Sequence, residues 1–301
     1  MTRESDWLEW RKGGLGASDV AAAWTRSYGQ SPHSVVAKKL GLMVEDIDAD
    51  KQALFDHGHK MEPLIALAVH DLLGLHVAGE QSWIEHTDEP WMRATIDGFL
   101  LSFPDDMLNA AVGVFEAKTS QANARLNWPY YTAQVQWQMA VTGLPSAVIA
   151  VLKETDDGKT LYLREVSADA VFQNELVVFA RELWHHVTYA TLPPAESVDE
   201  VKALHPITLD RDAVEVPPDL VGELRHAESI AAEATAQLAK VKAALAEHIG
   251  DHETAVCDGD VVATWKNQTS NRLDQKALGA EYPELVAKFK TESQSRVLRI
   301  K

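Results

Sequence analysis

The chain of 301 residues contains a single cysteine, Cys257. One cysteine excludes an intramolecular disulfide, a zinc site built from cysteines and an iron–sulfur cluster, and it is typical of a reducing compartment. Long apolar runs are also missing. The longest, residues 147–152, is far shorter than the roughly 20 residues that span a bilayer, so we expect no membrane segment. The polar, mixed-charge N-terminus likewise gives no sign of a secretory signal.

Basic residues are scarce as well. Lysine and arginine number 28 against 45 aspartates and glutamates, which gives a net charge of −17. Such a chain does not adhere broadly to nucleic acid, but it can contain a local basic channel or hold cations between carboxylates. The composition, 46% hydrophobic and 24% charged, is that of a globular protein with a substantial core.

The order of hydrophobic patterns predicts the fold class. The middle of the chain reads as a helix, three strands, a helix and two strands, which indicates an α/β core with a mixed central sheet flanked by helices. We expect this domain to occupy residues 1–192. A linker over 193–216 contains the sequence TLPPAESVDE, and a C-terminal region of residues 217–301 follows.

The C-terminal region is predicted to contain a long helix, a β-hairpin, short helices and a basic tail. From Leu224 to Leu245, apolar residues alternate three and four positions apart, which predicts a heptad seam on one helix. Asp258 and Gly259 predict the hairpin turn. We expect the seam to pack within the chain; pairing with another subunit and docking of a partner are the alternatives.

One stretch of the core carries a pattern with chemical meaning. If residues 97–103 and 112–119 form an antiparallel hairpin, Asp97 lies beside Glu116 and Lys118, and the last two share one face of the sheet. Two carboxylates about 4 Å apart repel by roughly 4 kcal/mol near a protein surface, and a divalent cation offsets this well. Mg²⁺ takes carboxylates, waters and phosphate oxygens, which suits phosphodiester hydrolysis. A tight turn beside a surface ion pair is the structural alternative.

Five motifs, spread in order over residues 7–152, extend this pattern. They are WRKGGLGASD, GHKMEP, TIDG, FEAK and YYTAQVQWQMAVTG. In this order they resemble the PD-(D/E)xK nuclease superfamily and, more closely, its YqaJ-like viral recombinase or phage lambda exonuclease family. One departure is Ile96, where the superfamily often has proline before the catalytic aspartate. The resemblance implies a restriction-endonuclease-like core.

The resemblance also implies roles for individual residues. Mg²⁺, for which Mn²⁺ can substitute, would be held by Asp97, Glu116, the backbone carbonyl of Ala117 and Glu62. Lys118 resembles the catalytic lysine, and Gln134 resembles a glutamine that reaches into the site. Because Gln134 and Gln136 are two apart on a helix, they do not share a face, and we expect Gln136 to face solvent. The residues that align with a binding site for a DNA 5′-phosphate are Arg11, Ser18 and Thr95.

The function implied by this family is that of a Mg²⁺-dependent DNA exonuclease, a deoxyribonuclease of the alkaline-exonuclease type. Such an enzyme hydrolyses linear duplex DNA from 5′ to 3′ and leaves single strand for phage-type recombination. Its expected partners are duplex DNA ends, a single-strand annealing protein and, in a homotrimeric ring, copies of itself, all in the cytoplasm of a bacterial host. The alternatives are a restriction-like or structure-specific endonuclease on the same core and a catalytically idle DNA-binding or assembly protein.

Overall fold

A computed structural model describes residues 3–44, 49–103, 111–122, 124–155, 158–207, 213–271, 273–290 and 296–300. The loop predicted between Pro104 and Ala111 lies outside these ranges except for Ala111, and so does most of the acidic stretch 45–50. The chain divides into two compact units, Met1–Pro206 with Leu298–Lys301, and Ile207–Val297. Within the described ranges, no helix has the length and apolar character needed to cross a bilayer.

The first unit contains seven α-helices and seven strands among its described residues. The helices are α1 Arg3–Lys12, α2 Ala17–Thr25, α3 Pro32–Lys39, α4 Ala49–Leu73, α5 Trp128–Thr142, α6 Ala170–Thr188 and α7 Val198–Leu204. The strands are β1 His76–Ala78, β2 Ser82–Glu85, β3 Arg93–Ile96, β4 Gly98–Leu101, β5 Gly113–Ser120, β6 Ser146–Thr155 and β7 Gly158–Ser167.

Five of these strands form the central sheet in the order β1-β4-β5-β6-β7. β5 and β6 are parallel and the other neighbours are antiparallel, so the sheet is mixed. Helix α5 connects the parallel pair and packs on one face together with α2 and α6, while α4 covers the other face. The predicted α/β core with a mixed sheet between helices is confirmed.

Local sequence signals set the ends of α5, the helix at the centre of the larger core. The side chain of Asn127 accepts a hydrogen bond from the backbone N–H of Tyr130, and Pro129 occupies the first turn, where its missing N–H has no cost. Gly143, at φ 72°, ends the helix in the left-handed conformation that glycine adopts readily. Asn127, Pro129 and Gly143 therefore determine where α5 begins and ends.

The apolar run around Asp97 forms two strands, whereas the sequence pattern indicates one. β3 pairs with β2 in a separate two-stranded sheet, and β4 pairs with β1 and β5 in the central sheet. At Asp97 the chain passes from the two-stranded sheet into the central sheet. Gly98 lets β1 lie close to the start of β4, because a Cβ atom at that position would collide with Cγ1 of Val77.

Part of the segment predicted as a linker, residues 193–206, belongs to the first unit. His33 Nδ1 and the carbonyl of Pro193 are 2.7 Å apart, and Arg26 forms a 2.7 Å ion pair with Glu196. Glu200, on α7, accepts a hydrogen bond from the hydroxyl of buried Ser31. These contacts attach α7 to the start of α3.

The second unit contains α8 Pro218–Ile249, β8 Thr254–Cys257, β9 Asp260–Thr264, α9 Gln275–Glu281 and α10 Pro283–Lys288. The hairpin turn is confirmed, since Asp258 and Gly259 both have positive φ, 51° and 91°. The predicted seam lies on one helix, α8. Within this unit no described element covers the middle of the seam, since Leu238 and Val241 are 54% and 55% exposed.

Candidate active site

A cleft of about 290 Å³ in the first unit gathers the residues singled out from sequence. Loops, helix termini and strand ends contribute to its walls. The predicted site residues that line it are Arg11, Ser18, Glu62, Thr95, Asp97, Glu116, Ala117, Lys118 and Gln134. Residues that are more than 100 positions apart in the chain therefore meet at one place, as the motifs predict.

Pairing between β4 and β5 brings the two strand carboxylates together. Gly98 pairs with Phe115, so Asp97, just before β4, lies beside Glu116 on β5. Oδ2 of Asp97 accepts a 2.9 Å hydrogen bond from the backbone N–H of Ala117. The predicted antiparallel arrangement of these two segments is confirmed, and it fixes the position of Asp97 through the backbone of the neighbouring strand.

Glu116 is the most enclosed carboxylate of the cleft, with 1% of its surface exposed. Its Oε1 accepts hydrogen bonds from Nζ of Lys118 at 2.5 Å and from Nε2 of Gln134 at 2.6 Å. Its Oε2 accepts a 2.6 Å hydrogen bond from Nε2 of Gln138. Three donors compensate for the loss of water around this buried group.

Lys118 lies on the same face of β5 as Glu116. Burial by itself would lower the pKa of the Lys118 amine, but the carboxylates of Glu116 and Asp97 outweigh burial and raise that pKa above its usual value. Lys118 is therefore an ammonium at neutral pH. In this state it can stabilise negative charge, and it has no lone pair with which to act as a base.

At Asp97, in contrast to Lys118, the surroundings disfavour the charged form of the side chain. Burial, and then the negative charges of Glu116 and Glu62, raise its pKa well above the usual range, and Lys118 offsets only part of this effect. Negative charge thus exceeds positive charge at the bottom of the cleft. A bound cation is the kind of group that would remove this excess.

Gln81 connects the third carboxylate to this pair. Its Nε2 lies 3.0 Å from Oε2 of Glu62, on α4, and 3.3 Å from Oδ1 of Asp97. Gln81 adopts φ 53°, a left-handed conformation that costs energy for a residue other than glycine. The sequence analysis missed Gln81, which no motif marks. The strained backbone holds its amide between two carboxylates.

The donors in the cleft fit a hard divalent cation. Asp97, Glu116 and Glu62 offer carboxylate oxygens, and the buried Oε1 atoms of Gln134 and Gln138 have no hydrogen-bond partner in the described part of the chain. In the same part, no three His, Cys, Asp or Glu side chains stand close enough to form a complete metal centre by themselves. Mg²⁺ needs only one or two protein carboxylates and takes its other ligands from water and substrate.

At the other end of the cleft, the half-buried side chain of Asp19 holds Arg11 in place. The guanidinium of Arg11 donates to Oδ1 of Asp19 at 2.7 Å and to Oγ of Ser18 at 3.3 Å, while Lys39 pairs with Oδ2 at 2.8 Å. Burial would raise the pKa of Asp19, but Arg11 and Lys39 hold it well below its usual range.

The sequence around Ser18 and Asp19 predicts a helix that begins near Val20, and α2 begins slightly earlier. A helix that begins near Val20 would be capped by Ser18 or Asp19, whereas α2 begins at Ala17 with Gly16 as the residue before it. Asp19 lies in the first turn and accepts a hydrogen bond from the backbone N–H of Gly16 at 3.0 Å. Ser18 is thereby left on the cleft wall beside Arg11.

Trp7 and Trp10 of α1 form the wall of the cleft next to Arg11. Nε1 of Trp7 donates a 3.1 Å hydrogen bond to Oγ1 of Thr95, and the guanidinium of Arg11 lies 5.1 Å from the Trp7 ring. Trp10 stacks on Trp83 with ring centroids 5.8 Å apart. These contacts place Thr95 and Arg11 against the same aromatic surface.

The expectation that Gln136 faces solvent is wrong. Gln136 is 3% exposed, and its Oε1 accepts hydrogen bonds from the backbone N–H of Asp169 and from Nε2 of Gln173, both at 3.0 Å. The reason is that α5 is buried on opposite sides. Gln134 faces the cleft, and Gln136 binds the start of α6.

Gln138 is the functional residue that the sequence analysis missed on α5. It is fully buried and lies one helical turn after Gln134, so both side chains reach the same carboxylate. The i, i+4 spacing of Gln134 and Gln138 is the sequence signal that indicates this pair.

Comparisons with known proteins support the similarity that the motifs suggested. Residues 6–145 match the family model of the YqaJ-like viral recombinase domain, which confirms the resemblance. The uncharacterized protein YqaJ of Bacillus subtilis (strain 168) is 22% identical over 315 residues, which cover all of this chain and 95% of that protein.

Two solved structures are similar over a smaller share of this chain. The alkaline exonuclease LHK-Exo from Laribacter hongkongensis is 21% identical, with a TM-score of 0.44, over 62% of this chain and 95% of its own. A phage related exonuclease from Haemophilus somnus 129PT is 12% identical, with a TM-score of 0.42, over 59% of this chain and 96% of its own.

Proposed function

We propose that the protein, whose residues 6–145 match the model of the YqaJ-like viral recombinase domain, is a metal-dependent deoxyribonuclease that degrades linear duplex DNA from its 5′ ends. The observation that carries this proposal is the convergence of Asp97, Glu116 and Lys118 in one cleft, with Arg11 at the other end of the same cleft. The product, a long single strand, would serve phage-type recombination together with a single-strand annealing protein.

The cofactor that suits the cleft is Mg²⁺, with Mn²⁺ as a substitute. Asp97, Glu116 and the Ala117 carbonyl would hold the ion, and Glu62 would complete the site. When bound, such an ion supplies positive charge against the scissile phosphate and makes water more acidic, which is the chemistry that phosphodiester hydrolysis requires.

Lys118 stabilises charge on the phosphate group. Because its amine is protonated and 2.5 Å from Glu116, it presents a fixed ammonium at the edge of the carboxylate pair. Negative charge grows on the phosphate oxygens as the attacking oxygen approaches, and a preorganised cation in a partly enclosed cleft lowers the energy of that state.

Hydrogen bonds around the two acids keep them in place before DNA binds. Gln134 and Gln138 hold both oxygens of Glu116, and the backbone N–H of Ala117 holds Asp97. Precise placement of such groups by neighbouring residues is a condition for efficient catalysis. We assign Gln138 a positioning role, since it acts through Glu116.

Recognition of the 5′ end falls to Arg11, Ser18 and Thr95. A guanidinium offers forked donors that match the oxygens of a terminal phosphate, and the two hydroxyls can donate further hydrogen bonds. Asp19 orients Arg11 from behind, at 2.7 Å, so that the guanidinium enters the cleft in a defined direction.

The net charge of −17 requires that attraction for DNA is local. In a homotrimeric ring, which the family resemblance implies, the positive surface would be confined to the central channel around the duplex. The enzyme would act in the cytoplasm of a bacterial host, where phage DNA recombines.

The test is digestion of three DNA substrates of the same sequence with purified protein and Mg²⁺. They are a linear duplex with 5′-phosphate, the same duplex with 5′-hydroxyl, and a closed circle. We expect the phosphorylated duplex to be degraded fastest, the circle to stay intact, and excess EDTA to stop the reaction. Cutting of the circle would favour the endonuclease alternative, and inactivity on all three substrates would favour the idle DNA-binding protein.

A further inference from the structure

Helix α8, Pro218–Ile249, carries an apolar seam that stays exposed. Its 32 residues make a rod about 48 Å long at 1.5 Å per residue. The larger seam side chains are 37–55% exposed in the described part of the chain. The seam residues are Leu220, Leu224, Ala227, Ala231, Ala234, Leu238, Val241 and Leu245.

We propose that α8 pairs with α8 of a second copy of this chain in an antiparallel two-helix coiled coil. The spacing of the seam, alternately four and three residues, is that of a heptad repeat with its a and d positions apolar. The other leucine, valine and isoleucine residues of α8, Val221, Ile230 and Ile249, are in e and g positions directly beside the seam. The outer positions carry only small and polar residues.

The seam complements itself when the second helix runs in the opposite direction. Each a position then faces a d position of the partner, and the residue numbers of every facing pair add to the same value. Leu220 faces Leu245, and Leu224 faces Val241. Leu238 faces Ala227, so large side chains fill the space that small ones leave, and only Ala231 and Ala234 form small layers at the centre.

A parallel pair would pack less well. Each seam residue would face its own copy, which places three successive alanine layers, at Ala227, Ala231 and Ala234, between layers of leucine. Voids between such layers remove packing contacts. In the same arrangement Glu223, at a g position, would face Glu228 of the other helix at an e position, and like charges there are unfavourable.

The charges of α8 also favour the antiparallel arrangement. The first half of the helix carries four acids and one arginine, and the second half carries two lysines and one glutamate. Antiparallel pairing brings the acidic half of one helix beside the basic half of the other. The positive and negative ends of the helix dipoles are matched in the same way.

The pairing is tested by the molar mass of the full chain in solution, measured by light scattering. The variant Leu224→Glu with Leu238→Glu puts charge in the seam, and the matched control, Ala236→Glu with Ala243→Glu, puts the same charge on the outer face. All four side chains are exposed, so neither variant disturbs a core. We expect wild type and control to have twice the mass of the seam variant, and equal masses for wild type and seam variant would overturn the proposal.

The orientation is tested by disulfide formation in a Cys257→Ser background. A chain with Leu224→Cys is co-expressed with a differently tagged chain with Val241→Cys, and we expect a disulfide between the two tags after oxidation. In the antiparallel pair, two copies of position 224 are about 25 Å apart, beyond the reach of a disulfide. A disulfide between two Leu224→Cys chains, or none between the two tags, would overturn it.

This proposal does not depend on nuclease activity. A chain that is inactive on DNA and still has twice the mass of its seam variant would contradict the proposed function alone. If the nuclease units also form trimers, pairing of the three α8 helices of one trimer with those of a second trimer would again double the mass of wild type relative to the seam variant.

Discussion

The side-chain amide of Gln138 donates a 2.6 Å hydrogen bond to Oε2 of Glu116. The same nitrogen lies 3.2 Å from the backbone carbonyl of Thr95, so one buried side chain connects the central carboxylate of the cleft to β3. Helix α5 therefore determines where Glu116 points. The sequence motif shows the acid, and the fold shows what orients it.

Replacement of Gln138 by leucine tests this positioning role. The variant keeps the size of the side chain but leaves Oε2 of Glu116 without its donor, and loss of such a supporting partner typically lowers activity or metal affinity about 10–100-fold. The matched control is Gln136→Leu on the opposite side of α5. We expect both variants to lose roughly 1–3 kcal/mol in urea unfolding, and only Gln138→Leu to lose nuclease activity per folded molecule.

Asp97→Asn should separate stability from metal binding. Without added metal, the variant removes a carboxylate that repels Glu116 and Glu62, while the amide oxygen still accepts from Ala117 N–H. We expect unfolding of the metal-free variant at pH 8 to cost more free energy than that of wild type, by on the order of 1 kcal/mol.

Added Mg²⁺ should make wild type more stable than Asp97→Asn. A ligand that binds only the folded state at 100 times its Kd adds about 2.7 kcal/mol. Wild type should therefore gain stability with Mg²⁺, and Asp97→Asn should gain little. Equal gains in both proteins would argue against a metal site at Asp97.

Arg11→Ala tests recognition of the 5′ end. The relevant measurement is the ratio of degradation rates for duplexes with 5′-phosphate and 5′-hydroxyl ends, because a general loss of folded protein affects both rates equally. We expect this ratio to fall toward one in Arg11→Ala. It should be unchanged in Lys12→Ala, since Lys12 pairs with Glu9 on an exposed surface. A fall in both variants would contradict a specific role for Arg11.

The pH dependence of stability should report on the ion pairs that Asp19 makes with Arg11 and Lys39. Because the folded-state pKa of Asp19 lies below the ordinary value of about 4, its stabilisation is complete above that pH and is lost as the pH falls through the lowered pKa. Wild type should therefore be more stable than Asp19→Asn at pH 6, by on the order of 2 kcal/mol. The difference in urea midpoint should narrow between pH 5 and pH 3. A constant difference would mean that the pKa of Asp19 is the same in the folded and the unfolded protein.

Much of the candidate active site could be predicted from sequence because strand geometry is local. Alternation along β5 puts Glu116 and Lys118 on one face, and antiparallel pairing of the two segments brings Asp97 beside them. The change of sheet at Asp97 could not be predicted, since the apolar segment around Asp97 reads as one strand but contributes strands to two sheets. Which strands pair with β3 and with β4 is decided by segments distant in sequence, so it is seen only in the folded chain.

The wrong expectation for Gln136 on α5 has a physical origin, and α8 shows a related limit of periodicity. The rule that one face of a helix is polar and solvated fails for α5, because a central helix packs on both sides and buries Gln136 and Gln138 alike. On α8 the heptad spacing predicts the seam, but periodicity alone does not say which element packs against it. Burial of a helix face depends on which other element reaches it, and that element can belong to another molecule.

The central claim is that Asp97, Glu116 and Lys118 form the hydrolytic site of a DNA exonuclease. Its most direct test is Mg²⁺-dependent degradation of a 5′-phosphorylated linear duplex by wild type, Glu116→Gln and Lys118→Ala, with the folded fraction of each protein verified by circular dichroism. We predict release of nucleotides by wild type and a loss of at least about 100-fold in both variants, as for removal of a group that stabilises transition-state charge. Full activity of either folded variant would contradict the account.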